Sequence, residues 1–242
     1  MTYCVGLKLN RGLVFMSDTR TNAGVDNISR FKKMFSWNRE GERVITLMTA
    51  GNLATTQAVA SILDERTKAP EERSPSILEV PSMFQAARLV GETLRDVIQE
   101  NEGGGQSADA FTASLILGGQ IGESEPRLFL IYPEGNFIEA SVDTPFFQIG
   151  ETKYGRPILV RAYDPYMSFE DAVKLLMVSF DSTLKANLSV GLPFDLQIYE
   201  NGALRVAHDM RIEEDDLYFQ SISSGWGEAL RQAFHSLPAF RF

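Results

Sequence analysis

The sequence predicts an α+β fold in which two antiparallel sheets pack face to face and helices cover their outer sides. Strand-like runs and helical runs occur in separate blocks, without the strict β-α-β alternation that is typical of a parallel sheet. The chain has 242 residues, 44% of them hydrophobic, which is enough for one substantial core. No repeat, low-complexity tract or long linker divides it. We therefore expect a single domain over residues 1–242.

Short apolar runs separated by turn-forming residues predict the strands. Turn chemistry is clearest at Asn10-Arg-Gly12 and at Glu200-Asn-Gly202, where the Asn-Gly pair is a strong hairpin signal. A polar loop is expected at 18–29. In chain order, the predicted strands span 3–9, 13–17, 31–37, 44–49, 110–117, 127–132, 137–141, 146–150, 194–199 and 204–208.

Helical periodicity predicts four helices, which occupy the intervals between the strand blocks. A small-residue turn at Ala50-Gly51 leads into the first helix, over 53–66. Ser82 can cap the second, whose apolar residues from Met83 to Val97 recur at spacings of four and three. Three consecutive glycines at 103–105 should end it. The other two helices are predicted at 168–184 and near 225–235, the latter after an acidic stretch at 213–216.

Charge and composition exclude several classes of function. The formal net charge is −9 and the densest basic run, at 30–33, has four residues, so we do not expect a nucleic-acid partner. A single cysteine, Cys4, and two histidines, His208 and His235, form no zinc-binding pattern, and no cofactor or metal is expected. The start resembles no signal peptide and no apolar run is long enough for a membrane helix. The expected location is the cytoplasm, where a lone thiol stays reduced.

Thr2, Asp18 and Lys33 together suggest hydrolysis by an N-terminal nucleophile. If Met1 is removed, Thr2 supplies a hydroxyl nucleophile and a free α-amine, whose ordinary pKa of about 7.7–8.0 suits it to act as the base. A nearby lysine would favour the developing alkoxide, and an aspartate paired with that lysine would hold it charged and oriented. The N–H of a tight glycine turn would stabilise the oxyanion.

Five short segments carry a family resemblance. Together they resemble the start of a proteasome β subunit and of the bacterial HslV peptidase, including the interval from nucleophile to aspartate. The longer match is most similar to the bacterial Anbu group, an ancestral β-subunit branch of the same superfamily. The segments are Thr2-Tyr-Cys-Val-Gly6, Gly12-Leu-Val-Phe-Met-Ser-Asp-Thr-Arg20, Ala23-Gly24, Lys32-Lys-Met-Phe35 and Thr49-Ala-Gly51.

This resemblance implies a four-layer αββα sandwich, assembly of identical subunits into a ring or an open spiral, and hydrolysis of amide bonds in peptides or proteins. It also implies roles for five residues. Thr2 would be the nucleophile, Asp18 would orient the lysine, Lys33 would be the family lysine, Gly51 would give the oxyanion N–H, and Ser189 would stand in for a family serine. Arg20 would be a structural partner in the same network. Lys33 is preferred to Lys32 because Lys-Met-Phe matches the family's lysine followed by two apolar residues.

Two departures from the family pattern keep alternatives open. Glu151 replaces the serine of a Gly-Ser-Gly turn that supports the threonine in the family. A family aspartate is either missing from this chain or shifted to the position of Asn187. The chain could therefore be an assembly or scaffold protein that keeps the fold without catalysis, or an enzyme that needs an unknown partner protein. A third possibility is that processing exposes Cys4 as the nucleophile.

Overall fold

The structure of the chain is a computed structural model that describes residues 2–22, 28–68, 75–102 and 108–242. These residues contain twelve strands, five α-helices and a short 3-10 turn at Ala108–Phe111. The strands are β1 (Tyr3–Leu9), β2 (Gly12–Asp18), β3 (Arg20–Asn22), β4 (Ile28–Arg30), β5 (Met34–Arg39), β6 (Arg43–Gly51), β7 (Ala113–Ile121), β8 (Arg127–Ile131), β9 (Phe137–Glu139), β10 (Phe146–Gly150), β11 (Phe194–Glu200) and β12 (His208–Ile212). The helices are α1 (Leu53–Lys68), α2 (Met83–Glu102), α3 (Arg156–Ala162), α4 (Phe169–Ala186) and α5 (Leu217–Ser236).

The strands form two five-stranded antiparallel sheets and one short ribbon. The first sheet has the order β10-β1-β2-β11-β12, and the second has the order β5-β6-β7-β8-β9. The ribbon pairs β3 with β4. Strands that are adjacent in sequence usually pair, but β1 also pairs with β10 and β2 with β11. These two non-local pairings bring both halves of the chain into the first sheet.

Three apolar clusters show how the layers are stacked. One joins α1 and α2 to the second sheet through residues such as Val59, Val90 and Leu115. Another joins the first sheet to α3, α4 and α5, and a third fills the space between the sheets around Phe15 and Ile116. The order is therefore helices, sheet, sheet, helices, and the predicted αββα sandwich is confirmed. Burial of these side chains is the main stabilising contribution in each layer.

Several boundaries differ from the sequence prediction. Residues 31–33 precede β5 rather than belonging to it, and 110–112 lie in or beside the 3-10 turn before β7. The second strand of the last hairpin begins at His208, four residues later than predicted, because Leu204 has a positive φ of 46° that is incompatible with a strand. Helix α5 begins at Leu217, where the Asp216 carboxylate accepts the Phe219 N–H. The loop at 18–29 contains β3 and β4.

Helix α3 was not predicted. It has seven residues and only Leu159 of them is buried, so it offers no periodic apolar face. Pro157 occupies its first turn, where proline is well tolerated. The predicted helix end at 103–105 lies outside the described residues. Among the helices that the structure describes, none combines the length and hydropathy that a membrane span requires.

Candidate active site

The candidate site lies at one end of the sandwich, where strands from both sheets terminate. Thr2 directly precedes β1, and in the antiparallel register Tyr3 is opposite Gly150 at the end of β10 while Cys4 is opposite Ser17 on β2. Asp18 therefore lies beside the start of β1. Gly51, at the end of β6, contributes from the second sheet. The register of the first sheet and the packing of the second sheet against it thus gather segments that are far apart in sequence.

Tyr3 anchors the start of β1, directly after Thr2. Its ring is fully buried against Phe180, and its hydroxyl oxygen lies 2.7 Å from both Ser179 Oγ and Gln148 Nε2. Burial raises the pKa of Tyr3 to about 12, so the phenol stays neutral and keeps these hydrogen bonds. Helix α4 therefore anchors the residue next to Thr2.

Asp18 and Lys33 form a buried ion pair. Lys33 Nζ is 2.8 Å from Asp18 Oδ1, and the two side chains are 5% and 0% exposed. The same Oδ1 accepts the Tyr3 N–H at 2.9 Å, and Lys33 also donates to the Arg20 carbonyl oxygen at 2.5 Å. Burial raises the pKa of Asp18, whereas the neighbouring Lys33 ammonium acts to lower it. The lysine next to Asp18 is thus Lys33 and not Lys32, and Arg20 joins the network through its main chain.

Thr2, Lys33 and Gly51 line one cavity of about 510 Å³, which we call the Thr2 pocket. Thr2 itself is 8% exposed. Of the five residues predicted from the sequence, these three face a common space and Asp18 lies directly behind Lys33. The described residues that line the Thr2 pocket are Thr2, Thr21, Lys32, Lys33, Thr49, Ala50, Gly51, Leu53, Thr56 and Gly150.

Glu151 and Asn187 form the support on the other side of Thr2. The Glu151 N–H donates to the Thr2 carbonyl oxygen at 2.6 Å. Its carboxylate is buried and accepts from Asn187 Nδ2 at 2.9 Å, while Asn187 Oδ1 accepts the Ser189 N–H at 2.9 Å. Ser189 is not among the described residues that line the Thr2 pocket, and hydrogen bonds through Asn187 and Glu151 connect it to the Thr2 backbone. The two departures from the family pattern are therefore bonded to each other.

Gly150 is a site residue that sequence reasoning did not single out. Its φ is +84°, and a Cβ built there would lie 1.9 Å from the Thr2 carbonyl oxygen. Only glycine allows β10 to pass so close to Thr2. The glycine that precedes Glu151 was the only signal of this role in the sequence. A single glycine does not show which backbone segment lies next to it in the fold.

Cys4 does not fit the role of a nucleophile. Its side chain is fully buried between the sheets, and its thiol donates to the Thr49 carbonyl oxygen at 3.7 Å. Burial raises the pKa of the Cys4 thiol far above its ordinary value, so the reactive thiolate is suppressed.

A family model described as "Proteasome subunit" matches residues 2–196. This chain belongs to the proteasome subunit family. Two archaeal relatives of this proteasome-family chain are both named "Proteasome subunit beta 2". The one from Pyrobaculum calidifontis is 26% identical over 205 residues, covering 82% of this chain and 89% of the relative. The one from Pyrobaculum neutrophilum is 25% identical over 203 residues, with coverage of 83% and 90%.

Solved Anbu structures are more similar to this proteasome-family chain than the two Pyrobaculum relatives are. An Anbu mutant from Hyphomicrobium sp. strain MC1 is 50% identical with a TM-score of 0.92, and the match covers 100% of both chains. Anbu, the ancestral β subunit, from Yersinia bercovieri is 47% identical with a TM-score of 0.93, covering 99% and 100%. A helical assembly of the Anbu complex from Pseudomonas aeruginosa is 44% identical with a TM-score of 0.92, covering 99% and 98%. The predicted resemblance to the Anbu group is confirmed.

Proposed function

We propose that this chain is a threonine-type hydrolase of peptide amide bonds that becomes active when removal of Met1 frees the Thr2 amine. The observation that carries the proposal is the Thr2 pocket, where Thr2, Lys33 and Gly51 converge in front of the buried Asp18–Lys33 pair. Membership of the proteasome subunit family supports the same chemistry. A hydroxyl nucleophile, a cation and a backbone N–H donor at one pocket would together support acyl transfer.

Each group has a distinct task. The Thr2 amine accepts the proton from Thr2 Oγ as that oxygen attacks the substrate carbonyl carbon, and the Lys33 ammonium favours the negative charge on Oγ. The Gly51 N–H stabilises the oxyanion of the tetrahedral intermediate. The C–N bond then breaks, the proton passes from the Thr2 amine to the leaving amine, and an ester remains on Oγ. Water attacks this ester by the same route and releases the acid.

Removal of Met1 is essential to this mechanism. While Met1 is attached, the Thr2 nitrogen is a peptide nitrogen whose lone pair is delocalised into the carbonyl group, so it cannot accept a proton. The hydroxyl would then have no base, because the pocket lining contains no histidine or carboxylate among the described residues.

Reaction with an electrophilic probe tests the proposal directly. We expect a β-lactone or epoxyketone probe to add its mass once, at Thr2, in protein whose mature N-terminus is Thr2. Intact-mass measurement and peptide mapping locate the adduct, and urea-unfolded protein is the control because it keeps the residues but loses the pocket. Folded protein that begins at Thr2 and stays unmodified would instead favour a non-catalytic assembly or scaffold protein, the alternative that Glu151 motivates.

We also propose that the active form is a homo-oligomer, a ring or an open spiral, that acts in the cytoplasm on peptide or protein substrates. The similarity to a chain that forms a helical assembly supports this. So do the exposed apolar residues at the C-terminal end, which a monomer would leave in water. These residues are Leu217, Tyr218, Leu230, Phe234, Leu237, Phe240 and Phe242.

Gly150→Ala is expected to reduce kcat/KM by about 10²-fold, because a methyl group there displaces the Thr2 carbonyl and with it the nucleophile. Gly202→Ala is the matched control. Gly202 also has a positive φ, of 77°, but no atom lies within 4 Å of the added carbon. That variant should lose only about 1 kcal/mol of unfolding free energy and keep its turnover. Equal effects of the two substitutions on turnover would contradict the role of Gly150.

A further inference from the structure

Lys32 is a cation at the Thr2 pocket that has no partner among the residues that the structure describes. It lines the pocket next to Lys33, and of these two lysines only Lys33 is paired with a described carboxylate. Within residues 2–22, 28–68, 75–102 and 108–242, Lys32 takes part in no ion pair and no hydrogen bond of its side chain. Among the described residues, the lining of the pocket includes no aspartate or glutamate. The pocket therefore presents one uncompensated positive charge to whatever enters it.

The surroundings of Lys32 do not neutralise this charge. Lys32 also borders a smaller cavity that is lined by Asp195, Asp209 and Arg211, but Asp195 is already bound to Arg211 at 2.8 Å. A third cavity beside Lys32 includes Asp64, which pairs with Lys68 at 2.7 Å on the surface of α1. Asp209 lies farther from the ammonium than an ion pair allows. Lys32 is exposed, so its flexible side chain can move toward the carboxylate of a ligand in the Thr2 pocket.

The remaining wall of the pocket combines small polar side chains with aliphatic ones. Three threonines line it, at positions 21, 49 and 56, together with the aliphatic Ala50 and Leu53. The Thr56 hydroxyl donates to the Leu53 carbonyl oxygen at 3.0 Å, so α1 begins with its polar groups satisfied at the edge of the pocket. Aliphatic carbons can contact the methylene groups of a substrate side chain, while the ammonium binds its end.

We propose that the Thr2 pocket selects peptides in which the residue that supplies the acyl carbon is acidic, with Lys32 as the specificity-determining residue. This inference rests on the proposed function. The residue whose carbonyl carbon Thr2 attacks must place its side chain near Thr2, and the nearest free charge there belongs to Lys32. A glutamate side chain, longer than aspartate by one methylene group, can pass the aliphatic part of the wall before it meets the ammonium.

Four fluorogenic peptides that differ only at this residue test the proposal. We expect kcat/KM for the glutamate peptide to exceed that for the isosteric glutamine peptide by about tenfold, with leucine lower and lysine lowest. This ratio should decrease as salt is added, since the pocket is open to solvent. Turnover that does not distinguish glutamate from glutamine would overturn the proposal.

Variants of Lys32 identify the residue responsible. In Lys32→Met the glutamate-to-glutamine ratio should fall to about one, and in Lys32→Glu the lysine peptide should become better than the glutamate peptide. Lys185→Met is the matched control, because it removes an equal charge from an exposed position on α4 and should leave the ratio unchanged. A ratio that survives in Lys32→Met would show that another group determines the preference.

A binding measurement separates this inference from the proposed function. Thr2→Val keeps the shape of the pocket without its hydroxyl, so it can bind peptides without cleaving them. We expect this variant to bind the amide-capped glutamate peptide about tenfold more tightly than the glutamine peptide. If the unmodified protein cleaves no peptide but this discrimination is present, the proposed function fails and the acidic-ligand site remains. Equal binding of both peptides would overturn the inference whatever the turnover.

Discussion

Thr2→Val is expected to lower the turnover of small peptide amides by roughly 10³-fold or more, because valine has the branched shape of threonine but no nucleophilic oxygen. Thr2 is 8% exposed and its backbone carbonyl keeps the hydrogen bond from the Glu151 N–H, so the fold and the assembly should persist. Initial rates at equal concentrations of assembled protein measure the effect.

Thr2→Ser is the control for this prediction, since it retains a hydroxyl and should retain measurable turnover. Size-exclusion chromatography would show that all three proteins assemble alike. Turnover of Thr2→Val equal to that of the unmodified protein would reject Thr2 as the nucleophile.

Lys33→Met is expected to lower the free energy of unfolding by about 3–5 kcal/mol, because it leaves the Asp18 carboxylate buried without its counter-ion. Urea titration at a fixed protein concentration measures this loss, and turnover should be abolished in the same variant. Adding Asp18→Asn should recover part of the lost stability, since the buried group is then neutral, but it should not restore turnover.

The destabilisation should also depend on pH. Burial raises the pKa of Asp18, so folded Asp18 binds a proton at a higher pH than unfolded Asp18 does. Between the unfolded and the raised folded pKa of Asp18, stability decreases as the pH rises, and Lys33→Met should regain stability as the pH is lowered through the raised pKa. Lys174→Met removes one partner of an ion pair whose side chains are 52% and 55% exposed, and should change stability by less than about 1 kcal/mol. A similar loss of unfolding free energy in Lys33→Met and Lys174→Met would contradict the conclusion that the buried Asp18 carboxylate causes the larger loss.

The elements with strong periodicity or clear turns could be predicted from the sequence. Strand β1 and strand β10 have the predicted bounds, and α2 and α4 follow apolar residues that recur at helical spacing and begin after Ser82 and Ser168. The start of α5 could not be predicted in this way. Among its residues only Phe219 is buried, so its apolar residues do not mark an inner face.

The candidate site, too, could be predicted only in part from the sequence. Thr2, Asp18, Lys33 and Gly51 lie within a short N-terminal stretch where their spacing is visible in the sequence. The pair of Glu151 and Asn187 was not predictable, because the two residues are 36 positions apart and meet only through the packing of α4 beside the end of β10. Taken separately, each substitution suggested a weakened site, whereas in the structure the two side chains are hydrogen-bonded to each other.

The hydrogen bond from Glu151 holds Thr2 by its carbonyl group and makes no use of its nitrogen atom. This hydrogen bond is available whether the Thr2 nitrogen is a free amine or a peptide nitrogen. Under the proposed mechanism, a newly synthesised chain would complete this end of the sandwich while it is still inactive. Proteolytic removal of Met1 would then act as a chemical trigger that changes one nitrogen atom.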